Sequence, residues 1–205
     1  MLELYKYEGK TKEEALNKAL NELSLNEDEL FINEEEIEGK LFKAKKYQIN
    51  VLKKEDVKLE IKKFIKALSE KMNLEINLEI KEEEGIYNVL LVSDNNAILI
   101  GKDGRTLNSI QLLLRQHLNK NGVFNIKVNL DVSGYKAKKV KNTEYEIKRI
   151  ATTIVRTKVE AKLDPMNSYE RRIVHTVISN YPMLETESVG EEPERYVIIR
   201  YKEEK

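Results

Sequence analysis

The sequence predicts an α+β protein of three small modules: a β-α-β-β unit over residues 1–53, an α-β-β-α-α-β unit over residues 54–134, and helices packed on a small sheet over residues 135–205. Three observations predict it. Apolar residues switch back and forth between helical spacing and strict alternation along the whole chain. No apolar run approaches the roughly 18 residues of a membrane span. With 205 residues, 40% of them hydrophobic and 35% charged, the chain suits several thin cores better than one thick one.

The first module reads as strand, helix, strand, strand. Thr11 and Glu14 form a capping box at the helix start, and Ala15, Leu16, Ala19, Leu20 and Leu23 share one helical face. Leu30 and Ile32 then alternate with polar residues, as do Tyr47, Ile49 and Val51. About fifty residues in four elements make so thin a core that this unit is expected to lean on another surface.

The second module opens with a helix carrying Val57, Ile61, Phe64, Ile65, Leu68 and Met72. Leu74, Ile76, Leu78 and Ile80 mark one strand and Tyr87, Val89 and Leu91 the next, across a turn at Gly85. A short apolar helix at 97–100 runs into Gly101-Lys102-Asp103-Gly104, and a longer helix turns Leu107, Ile110, Leu114 and Leu118 inward. Ile126, Val128, Leu130 and Val132 alternate in a last strand.

In the third module a long helical pattern carries Ile147, Ile150, Ala151 and Ile154, and Pro165 is expected to stop it. A second helix with Ile173, Val174, Val177 and Ile178 closes at Pro182, followed by strands at 184–188 and 196–201.

The 36 basic and 36 acidic side chains cancel, but not locally. Residues 1–56 carry 10 basic and 14 acidic groups, residues 57–134 carry 11 and 10, and residues 135–205 carry 15 and 12. Within the last window, 135–162 hold 9 basic against 3 acidic residues. A local excess of that kind points toward a polyanionic partner, and Lys138, Lys139, Lys141, Lys148 and Arg149 are its candidate phosphate contacts.

Gly101 and Gly104 bracket two polar residues between two apolar helices. Glycine lets a sugar–phosphate backbone approach the peptide closely, and Gly104 opens a helix whose N-terminal N–H groups favour an anion. Lys102 and Arg105 add positive charge there, and Asp103 subtracts some. Further on, Arg171 and His175 stand four apart and share one helix face, a guanidinium beside an imidazole that suits a phosphate and a base.

With that turn in an α-β-β-α-α-β context, residues 57–134 resemble a KH domain of the prokaryotic type (type II). In such domains the loop clamps about four nucleotides of single-stranded backbone. Residues 165–175, followed by Thr186-Glu187-Ser188-Val189-Gly190-Glu191-Glu192-Pro193-Glu194-Arg195-Tyr196, look like the Arg-x-x-x-His (R-3-H) domain. The order of modules resembles the Jag family, also called KhpB or EloR, over nearly the whole chain. The resemblance implies RNA contact at Ile100, Gly101, Lys102, Asp103, Gly104 and Arg105, and nucleic-acid contact at Arg171 and His175. It implies a cytoplasmic regulator that binds single-stranded RNA, with single-stranded DNA as a further ligand. Such a regulator acts post-transcriptionally on cell elongation and envelope growth, and pairs with a small KH-only protein or with a second copy of itself. The chain departs from the family where a glycine-rich turn is expected: it has Gly39-Lys40-Leu41-Phe42-Lys43-Ala44-Lys45-Lys46. Only about residues 52–56 remain for the long charged linker many members carry.

No enzyme signature stands beside these motifs. Walker loops, paired metal-binding histidines and nucleophile elbows are missing from the sequence, and no cofactor or metal is expected. The absence of cysteine excludes disulfide scaffolds, thiolate zinc sites and cysteine nucleophiles. His117 is expected on the apolar side of its helix, as a packed or half-buried residue rather than a general base. The N-terminal residues lack the basic start and apolar block of a secretory signal. An interaction scaffold with little nucleic-acid binding remains the alternative reading, and a metal-dependent nuclease a more distant third.

Overall fold

The computed structural model describes residues 2–37 and 46–202. Of the segment 39–46, where the family's glycine-rich turn is altered, residues 39–45 fall outside the described residues. The fold is α+β, with three separate three-stranded sheets. By its internal contacts the chain divides into two compact units, Met1–Ser133 and Gly134–Lys205.

In the first unit, β1 (Tyr5–Gly9), α1 (Lys12–Leu23), β2 (Leu30–Ile37) and β3 (Lys46–Lys53) form an antiparallel sheet of order β1-β3-β2 covered by the helix. Thr11 Oγ1 accepts the Glu14 N–H at 3.2 Å, but Glu14 reaches back to the Lys10 N–H rather than that of Thr11. Ala15 and Ala19 are fully buried against Ile49 and Val51, small residues that let α1 approach the sheet closely.

The same unit continues into α2 (Lys54–Met72), β4 (Ile76–Glu83), β5 (Ile86–Ser93), α3 (Asn96–Ile100), α4 (Arg105–Leu118) and β6 (Lys127–Val132). Its sheet has the order β4-β5-β6, antiparallel then parallel. The parallel pair needs a crossover, and α3 and α4 supply it. Leu107, Ile110, Leu114 and Leu118 are all buried, as their spacing predicts. The thin N-terminal module does lean on this second sheet. Phe31 of β2 lies 6.2 Å from the rings of both Tyr87 and Phe124, and Asn33 donates to the Val123 carbonyl at 2.9 Å.

His117 corrects its expectation. Its side chain is 41% exposed, more than packing would leave, because it lies beside the buried stripe at the rim, where Nε2 is 2.7 Å from Oε1 of Glu60 and the ring 5.5 Å from that of Phe64.

The second unit holds α5 (Tyr135–Thr157), β7 (Ala161–Lys162), α6 (Ser168–Ile178), β8 (Leu184–Val189) and β9 (Tyr196–Tyr201), in a sheet of order β7-β9-β8. Ile147, Ala151 and Ile154 of α5 meet Val174, Val177 and Ile178 of α6 over Leu184, Val197 and Ile199. Pro165 is not what ends α5. The helix stops at Thr157, where Lys158 turns left-handed at φ 58° and its N–H returns to the Ile154 carbonyl. The chain then adds β7 to the edge of the sheet, a two-residue strand too short to show alternation.

Candidate nucleic-acid interface

The Gly101–Gly104 turn is positioned by polar side chains that periodicity does not reveal. At the start of α3, Asn96 accepts the Ser93 N–H at 2.8 Å and donates to Ser133 Oγ at 3.0 Å, tying the helix to the ends of β5 and β6. On α4, Gln111 accepts the Leu130 N–H at 3.0 Å. Asn119 grips both the N–H and the carbonyl of Ile126. Together they hold α4 along the open edge of β6, so the turn sits on a rigid base.

Within the turn, Gly101 (φ 68°), Asp103 (φ 56°) and Gly104 (φ 83°) all adopt positive φ. At Gly101 the need for glycine is internal as well. A Cβ there would stand 2.1 Å from Thr106 Oγ1 and 3.0 Å from the Thr106 backbone nitrogen. Packing inside the turn therefore requires glycine here whether or not a strand approaches. Gly104 is buried and caps α4 with no side-chain hydrogen bond. Lys102, Asp103 and Arg105 are exposed, and Ile100 and Gly101 half-buried. Among the described residues neither Lys102 nor Arg105 is held in an ion pair, whereas Asp103 is engaged. The turn offers two available cations at the N-terminus of a 14-residue helix.

Arg171 and His175 do share one face of α6, but both point into their own unit. Arg171 is only 7% exposed. Its Nη1 donates to the Met166 carbonyl at 2.6 Å, and its Nη2 lies 3.1 Å from Glu192 Oε1. His175 is half-buried, with Nδ1 2.6 Å from Thr186 Oγ1 and Nε2 2.8 Å from Ser188 Oγ. A neutral ring can donate at one nitrogen and accept at the other, so two hydroxyls satisfy it. Burial, and then the Arg171 charge, hold this imidazole below its ordinary value. The pair braces the 166–167 segment, the 190–193 turn and β8 around α6. Asn167 completes the brace by capping α6, accepting from the Tyr169 and Glu170 N–H groups while Glu170 accepts from its own.

The lysines of α5 divide. Lys139 is paired with Glu170 at 2.6 Å and ties α5 to the first turn of α6. Lys138, Lys141, Lys148 and Arg149 are exposed and, among the described residues, have no carboxylate within ion-pair distance. The outer face of the third sheet differs: there Arg200 lies between Glu160 and Glu187, 2.8 Å from each, and its charge is neutralised. Among the described residues no group of three or more His, Asp or Glu could hold a metal ion, and no helix is long and apolar enough to cross a membrane.

Residues 58–132 match the family model described as the KhpA/KhpB KH domain, and residues 141–201 match that of the R-3-H domain. Over 201 residues the chain is 39% identical to RNA-binding protein KhpB of Clostridium symbiosum, covering 96% of this chain and 90% of that one. The chain belongs to the KhpB family. A second KhpB relative, from Bacillus subtilis, is 28% identical over 200 residues, 95% of this chain and 96% of its own. The KhpB protein of Lactiplantibacillus plantarum matches over 102 residues at 33% identity, half of this chain and 32% of that longer one. The resemblance drawn from the glycine turn and the Arg-x-x-x-His helix thus holds for nearly the whole chain.

Proposed function

We propose that this protein is a cytoplasmic, non-enzymatic regulator that binds single-stranded RNA and acts post-transcriptionally, in the manner of regulators of cell elongation and envelope growth. Three modules carry the reading, over residues 1–53, 54–134 and 135–205. One observation supports it most: among the described residues Lys102 and Arg105 have no ion-pair partner, and they stand at the mouth of a glycine turn that opens α4. Ile100, Gly101, Asp103 and Gly104 shape that mouth. The exposed α5 cations Lys138, Lys141, Lys148 and Arg149 supply a second set of phosphate contacts. Two modest sites on one chain strengthen each other when one strand reaches both. Arg171 and His175 enter as the brace of the C-terminal unit, since two guanidinium N–H groups and both ring nitrogens already have partners within it, and Lys139 joins them through Glu170. The expected protein partner is a second KH domain, from another copy or from a small KH-only protein.

Fluorescence anisotropy with labelled single-stranded RNA tests the reading. Saturable binding that weakens with salt is expected. Lys102→Glu should weaken it about tenfold and flatten the salt dependence by roughly one counterion. Lys102 is exposed, so the variant keeps its fold, whereas a substitution at buried Gly104 would confound folding with binding. Unchanged affinity in both Lys102→Glu and Arg105→Glu would overturn the role of the turn. No binding at any salt would favour a scaffold, and RNA shortened during incubation with magnesium or manganese would favour a nuclease.

A further inference from the structure

The outward face of α5 carries more than charge. Ile147, Ala151 and Ile154 are buried. At spacings of three and four residues on the opposite side stand Lys138, Lys141, Tyr145, Lys148, Arg149, Thr152 and Arg156, all exposed. None of them is acidic. Glu144 and Glu146 fall to either side of the row. At 1.5 Å per residue the row runs about 27 Å along the helix.

Tyr145 lies in the middle of it and is 65% exposed. One helical turn before it is Lys141, and one turn after it are Lys148 and Arg149. None of these four side chains is held by a hydrogen bond or ion pair among the described residues. The phenol adds nothing to the core of its unit. Its position does meet the requirements of a strand-binding site: a flat, rigid π surface with cations on both sides of it. Every base has a face that can stack on such a ring, while neighbouring phosphates need cations within reach.

We infer that Tyr145 is a base-stacking platform for single-stranded nucleic acid, with Lys141, Lys148 and Arg149 holding the phosphates that flank the stacked base. The inference rests on the proposed RNA binding and deepens it. It assigns to α5 a contact with bases, which cations alone do not make. Duplex RNA keeps its bases stacked on one another and so leaves the ring without a ligand.

The test compares the full-length protein with Tyr145→Ala, Tyr145→Phe and Lys141→Ala by anisotropy. The probes are a uridine-rich single strand, an abasic strand of equal length and a duplex. Tyr145→Ala should weaken single-strand binding about tenfold. Tyr145→Phe should stay within about twofold of the parent, because the ring is kept. Abasic and duplex affinities should not change in either tyrosine variant. Lys141→Ala should lower the salt slope by about 0.7, and Tyr145→Ala should leave that slope alone. Single-strand binding that depends on Lys141 but not on Tyr145 would overturn the platform and leave the RNA-binding reading standing. Absence of binding by the parent protein would instead overturn that reading. Equal losses on normal and abasic strands would show that Tyr145→Ala acts through the fold, and would also overturn the platform. A DNA strand of the same sequence should suffer the same loss, since stacking does not read the 2′-hydroxyl.

Discussion

Arg171 spends its guanidinium on the Met166 carbonyl and on Glu192, and His175 spends both ring nitrogens on Thr186 and Ser188. Side chains bonded in this way help to hold the geometry of their unit. For His175 that commitment has a pH signature. Burial first, and the Arg171 charge second, keep the ring below its ordinary value of about 6.5. The unfolded chain therefore takes up this proton more readily than the folded one. Stability contributed by the neutral ring is fully present above about pH 6.5, and is lost as pH falls through the lower folded value. Acidification from about pH 7.5 to about pH 5 should lower the melting temperature. His175→Gln, which can still donate to one hydroxyl and accept from the other, should remove part of that fall. A ring titration by NMR with its midpoint at or above 6.5 would contradict this account.

At the scale of elements, the seam between β2 and the second sheet decides how the first unit behaves. Phe31 sits between Tyr87 and Phe124, and Lys54 lies 5.7 Å over its ring while reaching Glu82 at 3.4 Å. Truncation to Phe31→Ala removes the aromatic contacts and should cost about 2 kcal/mol. The loss should fall unevenly. Amide protection in β1, β2 and β3 should drop in hydrogen exchange, while β4, β5 and β6 keep theirs, because the second sheet retains its own helices α2, α3 and α4. An equal loss across both sheets would mean that the seam is not the weak link. Nothing in the alternation of Leu30 and Ile32 identifies Phe31 as the contact; its partners lie 56 and 93 residues further along the chain.

Across the whole molecule, a net charge of zero conceals a segment with 9 basic and 3 acidic residues at 135–162. Neutrality limits indiscriminate attraction to polyanions, and the uneven distribution leaves local contacts available. The same scale holds the question of partners. Leu112 and Leu113 on α4 are each 55% exposed, an apolar pair off the buried stripe of Leu107, Ile110, Leu114 and Leu118. If a second KH domain docks there, the protein should sediment as a dimer at tens of micromolar, alone or with a KH-only protein. Leu112→Glu should then shift it to the monomer while leaving its circular-dichroism spectrum unchanged. Identical sedimentation of parent and variant would place the contact elsewhere.

The sequence by itself determined the order of every helix and strand except β7 and nearly every buried position of the larger ones, because period 3.6 and period 2 report burial directly. It also determined the family, through two short motifs in the right order. It could not separate an arginine that faces solvent from one turned inward: Arg171 and Arg172 are neighbours, and only packing makes the first buried and the second exposed. Nor could it show that Lys139 is committed to Glu170 while Lys138 and Lys141 stay available. The end of α5 at Thr157, the added strand β7 and the reason for glycine at position 101 were likewise decided in three dimensions. The physical reason is common to all of them. Local spacing tells which face of an element is inside, but which groups meet there depends on residues distant in the chain.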